Sequence, residues 1–259
     1  MADIGLDTKI ALVTGATRGV GLAVARKLCA AGARVVLNYA HSADDARRAV
    51  EELAPLKGEA VALRADVTRP EELARLLGQV RERYGRLDVF VHNAASWHPA
   101  PAVGADPAGV RADLSAALDP LLHGAPAIAD LMDDGTGCRP GGRIVAVSSS
   151  GAHSVIPHYV GPGVAKAALE SLVRYLAVEL AGRGIAVNAV STAKIDKGPG
   201  TPQPEVAAVL AARTPAGRLT SPADVADTVA LLCTAEAGWI HGQVIRADGG
   251  LGLRGQGGG

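Results

Sequence analysis

The stretch "KIALVTGATRGVG" (residues 9–21) constrains the fold more than any other part of the chain. Ile10 to Val13 form a continuous apolar run, as expected of a strand covered on both faces, and a turn with three glycines follows. Gly15 permits the tight turn, Gly19 lets backbone N–H groups approach an anion, and Gly21 allows the next helix to pack close on the strand. The helix starting there presents free amides and the positive end of its dipole to a phosphate. The candidate contacts in this turn are Gly15, Thr17, Arg18, Gly19, Val20 and Gly21. Such a turn belongs to the first βα unit of a parallel sheet, so the rest of the chain should alternate strands with helices.

It does. "ARVVLNY", "EAVALRADV", "LDVFVHNAA", "GGRIVAVSSS", "GIAVNAVS" and "GQVIRADGG" read as six further strands. Helical patterns cover 20–31, 42–54, "RPEELARLLGQVRERYG", 161–182, 204–212 and 222–235. Residues 106–133 are expected to be mostly helical but interrupted at Pro107, Pro120 and Pro126. No linker or repeat divides the 259 residues, a length that suffices for one α/β core. The expectation is a single domain over 1–259. It is a Rossmann-type, doubly wound parallel sheet with helices on both faces and its ligand at the carboxyl ends of the strands. The Gly-rich end, 252–259, is expected to be flexible.

Composition narrows the function. Lys plus Arg and Asp plus Glu both number 26, so no charge excess points to nucleic acid or an anionic membrane. No run of about 18 apolar residues offers a membrane span. Cys29, Cys138 and Cys233 are odd in number and far apart, which predicts neither a metal site nor a disulfide framework. The opening "MADIGLDTKIALVTG" lacks a basic segment followed by a long apolar run, so a cytoplasmic protein is expected.

A dinucleotide fits this cleft. Readers of NAD usually place a carboxylate after the second strand, on the ribose 2′-hydroxyl. Here that end reads "LNYAHS", and Arg18, His41 and Ser42 are candidates for a 2′-phosphate, which favours NADPH. Asp66 and Val67, ending the third strand, are candidates for the adenine. Asn93 and Ala94, in "HNAAS", would pass close to the ribose.

Together these motifs, with "VSSSG" and "KAALESLVRYLAVELAGRGIAVNAVS", resemble the short-chain dehydrogenase/reductase family over nearly the whole chain. Most members carry Tyr-x3-Lys. Here Pro162 stands four before Lys166, and Tyr159 stands seven before it. That Tyr-x6-Lys spacing is similar to the NADPH-dependent enoyl-acyl-carrier-protein reductase branch. The resemblance implies that Tyr159 donates a hydrogen bond or proton to the forming enolate. Lys166 would bind the nicotinamide ribose and lower the tyrosine pKa. Ser149 would orient substrate or relay a proton, and Ile195 would meet the carboxamide. Residues 196–215 would form the substrate lid. The implied reaction is NADPH-dependent reduction of an enoyl thioester carried by acyl-carrier protein or coenzyme A, in fatty-acid biosynthesis or secondary metabolism. A ketone or enone reductase of a specialised pathway is the alternative, and a non-reducing cofactor-binding protein the third. The resemblance also implies a homo-oligomer, a tetramer or dimer paired through helices four and five.

Some positions depart from the family pattern. Ala117 stands near the helix-four asparagine that holds a relay water in most members, with Asp119 two residues on. Ala95 replaces a usual glycine, and Thr192-Ala193 replace a usual Pro-Gly. His98, His153 and His158 fall near the expected pocket mouth. These departures leave the substrate more open than the cofactor.

Overall fold

A computed structural model describes residues 5–133 and 141–254. Seven strands form one sheet: β1 (Ile10–Val13), β2 (Arg34–Tyr39), β3 (Glu59–Arg64), β4 (Val89–His92), β5 (Arg143–Ser149), β6 (Ala186–Thr192) and β7 (Val244–Arg246). Their order is β3-β2-β1-β4-β5-β6-β7, and every neighbouring pair is parallel. The direction of winding reverses between β1 and β4. In a sheet of this type that switch point opens the ligand crevice.

The helices are α1 (Gly19–Ala30), α2 (Ala43–Leu53), α3 (Pro70–Tyr84), α4 (Pro107–Met132), α5 (Val160–Ala181), α6 (Pro204–Arg213) and α7 (Pro222–Leu232). Alternate strand residues feed two cores. Leu12, Val36, Phe90, Ile144 and Val187 pack against α3, α4 and α5. Ala11, Val13, Val35, Val91 and Val145 pack against α1, α2 and α7. Burial of both strand faces is what made the strands read as unbroken apolar runs. Local signals set the helix ends: Ser42 caps α2, Ser221 and Asp224 form a capping box on α7, and Gly85 ends α3 with φ +71°.

Among the boundaries that differ from the sequence expectation, two are set by side chains at the cleft. The third strand stops at Arg64, because Asp66 Oδ1 accepts from Thr68 N at 3.1 Å and turns the chain away. The fourth stops at His92, because the Thr14 hydroxyl accepts from the amides of both Asn93 and Ala94 at 2.9 Å.

Helix α4 departs from the interrupted helix expected over 106–133. It runs unbroken through 26 residues with Pro120 and Pro126 inside it, and Pro107 lies in its first turn. Each internal proline lacks the N–H that would bond the carbonyl four residues back, at a local cost of about 3 kcal/mol. Burial of Ala117, Leu121, Ile128, Ala129 and Met132 against the sheet and the helices on either side offsets it. Residues 251–253 form a short 3-10 turn, while 255–259 and Cys138 lie outside the described residues. Among the described residues no helix is long and apolar enough to cross a membrane.

Candidate active site

The first βα turn is stapled to the end of β4. Asn93 Nδ2 donates to the carbonyls of Thr14 at 3.0 Å and Gly15 at 3.1 Å. Gly15 holds φ +61°, a left-handed conformation that favours glycine. A Cβ on Gly21 would lie 2.3 Å from the Gly15 carbonyl oxygen and 2.6 Å from Asn93 Nδ2, so no side chain fits there. Arg18 precedes α1 in extended backbone. No side chain caps the helix, and its first turn carries no acid. Its leading amides are therefore available to an anion.

Above the carboxyl ends of β1 to β4 lies a cavity of about 610 Å³. Gly15, Thr17, Arg18, Val20 and Gly21 line it from the turn; His41, Ser42, Asp66, Val67, Asn93 and Ala94 line it from the next strand ends. The end of β2 offers Tyr39 and Ala40 and no carboxylate, while Arg18 and His41 are exposed at its rim. The glycine turn and the uncapped helix start fit the diphosphate of a dinucleotide.

Two details of this cleft were not anticipated. Ser42 Oγ is partly engaged as the α2 cap, accepting from Asp45 N at 3.1 Å. Asp45 itself lines the cavity. The Ser42 hydroxyl, then Arg48, hold its carboxyl below the usual range, and the charge of Arg18 acts in the same direction. The acid three residues after a capping serine, in "SADDAR", was the available signal.

Gly19, Ser149, Tyr159, Lys166 and Ile195 do not line this cavity. Ser149 ends β5 and Tyr159 is the N-cap of α5. The Tyr159 hydroxyl donates to Ser149 Oγ at 3.4 Å, and Ser149 Oγ also accepts from Gly151 N at 3.2 Å. A Cβ on Gly151 would meet the Tyr159 ring at 2.5 Å, so the glycine lets the ring lie against its backbone. The Ala100 amide donates to the His158 carbonyl at 3.1 Å, fixing the segment just before the tyrosine. Lys166 is buried on α5 and donates from Nζ to the Val147 carbonyl at 2.7 Å. Burial pulls its pKa down to about 8, against the raising effect of Glu170.

Ile195 forms an isolated bridge with Thr220 after β6. Beyond it, 196–215 contain a short 3-10 turn and α6, of which only Ala207 among the helix residues is buried. A second cavity, of about 410 Å³, is bordered by Asp196, Pro199, Ala207, Ala211 and Arg218.

The departures in helix four resolve into a specific contact. The Ala117 carbonyl lies 2.9 Å from His92 Nε2. A carbonyl only accepts, so Nε2 carries the proton and Nδ1 is bare. That Nδ1 is buried and finds no partner among the described residues. Burial first, and the Lys166 charge second, hold the His92 pKa down to about 4, so the ring is neutral near pH 7. Asp119 is occupied by the Ser115 hydroxyl. The histidines divide as well. His98 Nδ1 pairs with buried Asp113 at 2.9 Å, and His153 Nε2 pairs with buried Glu170 at 2.8 Å.

A family model described as enoyl-(acyl carrier protein) reductase matches residues 15–252. A 1-cyclohexenylcarbonyl-CoA reductase of Streptomyces collinus is 39% identical over 251 residues, covering 95% of this chain and 87% of that protein. A hydroxynaphthalene reductase-like protein of Metarhizium majus is 33% identical over 268 residues, covering 95% of each. Among solved structures, a short-chain type dehydrogenase/reductase from Mycobacterium marinum has a TM-score of 0.88 at 29% identity, covering 97% of this chain and 98% of that one.

Proposed function

The chain belongs to the short-chain dehydrogenase/reductase family, and from that premise we propose that it reduces the carbon–carbon double bond of an enoyl thioester with NADPH. It is an oxidoreductase of this family, whose members bind a nicotinamide cofactor. The carrying observation is the placement of Tyr159 at the head of α5, beside Ser149 and seven residues before buried Lys166, with Pro162 at the commoner tyrosine position. Similarity to the cyclohexenylcarbonyl-CoA reductase and to the family model supports an enoyl substrate.

In this reading the α1 amides and glycine turn hold the diphosphate. Asp66 and Val67 meet the adenine, Asn93 and Ala94 meet the ribose, and Arg18 and His41 bind the 2′-phosphate. A reduced nicotinamide held there would supply a hydride for the substrate β-carbon. Tyr159 hydrogen-bonds or protonates the thioester oxygen as negative charge develops there. Ser149 holds the phenol in place, and the Lys166 ammonium favours loss of its proton. Ile195 offers backbone to the carboxamide, and 196–215 close over the acyl chain. The thioester is carried by coenzyme A or acyl-carrier protein. The outer faces of α4 and α5, where Leu122, Tyr175 and Val178 are exposed, support pairing of two copies, which a solution mass would test.

The experiment is NADPH oxidation, followed by absorbance, with crotonyl and acetoacetyl thioesters. Turnover of crotonyl thioester is expected; turnover of the keto thioester alone would overturn the enoyl assignment. The second reading, a ketone or enone reductase of secondary metabolism, is favoured by the hydroxynaphthalene reductase-like relative.

A further inference from the structure

Glu170 carries a carboxylate into the protein interior, its side chain 2% exposed. A buried carboxylate persists only where hydrogen bonds or opposite charge compensate its lost hydration. Ser148 Oγ donates to one oxygen at 2.5 Å, and His153 Nε2 donates to the other at 2.8 Å. Ser148 belongs to β5. His153 follows the short 3-10 turn after that strand, and its side chain is 38% exposed. The contacts therefore run from solvent to an enclosed charge.

The carboxylate stands four residues after Lys166 on the buried face of α5, a spacing at which helix side chains are neighbours. The lysine ammonium donates to the Val147 carbonyl and is otherwise enclosed. Burial drives it toward the neutral amine, and Glu170 is the group that opposes this. From β4 the facing titratable group is His92, whose ring is neutral near pH 7. The reaction proposed above assigns nothing to Ser148, Glu170 or His153.

We infer that Glu170 and His153 are positioning residues that act through Lys166: the buried carboxylate keeps the ammonium protonated, and the histidine anchors that carboxylate at the solvent face. The effect on turnover rests on the reductase reading, but the charge state of the lysine does not. Without Glu170 the lysine gives up its proton at lower pH, and the charge proposed to assist Tyr159 is lost with it. Without the His153 donor, Glu170 keeps only Ser148, and its carboxylate is no longer fixed from the solvent side.

The test is an NMR titration of full-length protein labelled with 13C at the lysine ε-carbons, the Lys166 signal being identified by its loss in Lys166→Arg. Glu170→Gln is expected to move the Lys166 midpoint down by about one unit or more. His153→Phe, a surface change, is expected to move it the same way by less. With an active substrate, the alkaline fall of kcat should shift to lower pH by a matching amount. An unmoved midpoint in folded Glu170→Gln overturns the inference. If that variant does not fold, an unmoved midpoint in His153→Phe overturns it instead. Failure of the wild type to turn over any enoyl or keto thioester counts against the reductase reading alone.

Discussion

Tyr159 and Arg18 serve opposite ends of the proposed site, and single substitutions separate them. Tyr159→Phe keeps the ring against Gly151 and removes only the hydroxyl that reaches Ser149. It should lower kcat by about 100-fold or more, as for loss of a general acid, with NADPH affinity unchanged in a fluorescence titration. Arg18→Ala should leave kcat in place and weaken NADPH binding about tenfold, with NADH binding unaffected. Equal losses for the two cofactors would detach Arg18 from the 2′-phosphate. The glycine turn was legible in the sequence because close backbone approach admits so few residue types, whereas the Asn93 staple was not: the sequence placed Asn93 near the ribose, not on the carbonyls of Thr14 and Gly15. The pairs His92–Ala117 and His153–Glu170 were not. Each joins residues on different elements, and only the folded chain brings them within hydrogen-bond reach.

At the scale of the element, α4 separates what propensity says from what packing decides. Two prolines inside a helix predict a break, yet the helix continues because its apolar face is buried along most of its length. Pro126 is exposed, and its ring is not enclosed by the core. Pro126→Ala restores an N–H able to bond the Leu122 carbonyl. Part of the gain is lost because proline also restricts the unfolded chain. The net stabilisation should be about 2 kcal/mol, seen as a Tm several degrees higher by calorimetry. Pro120 is buried, so Pro120→Ala exchanges ring packing for the same bond and should gain less. The order of strands and helices was legible throughout, since strands covered on both faces and helices with one apolar face leave different periods in the sequence. The ends of β3 and β4 were not, because side chains of Asp66 and Thr14 set them.

The whole molecule carries its buried bases as a pH dependence. His92 is held near pKa 4 in the fold, against about 6.5 in an unfolded chain. Between those values the unfolded chain binds a proton that the folded one refuses, so stability is lost as pH falls from about 6.5 toward 4. The loss should approach about 3 kcal/mol. His92→Gln can still donate to the Ala117 carbonyl, and it should lose less between pH 6.5 and 4.5 in urea unfolding. Lys166 acts at the other end. Its pKa is depressed to about 8, so stability should rise from about pH 8 toward the unfolded value of about 10.4. A different consequence follows from the Asn93 staple between the first turn and β4. The nucleotide end of the cleft is rigid before anything binds, so its ordering entropy is lost during folding and not on association. Residues 196–215 are tied at their ends, where the Asp196 amide donates to the Thr220 carbonyl at 2.8 Å and Thr214 is buried, but the helix α6 between them is largely exposed. Association should therefore be biphasic in stopped flow: a fast, concentration-dependent docking of the cofactor, then a slower, concentration-independent isomerisation as the far side closes.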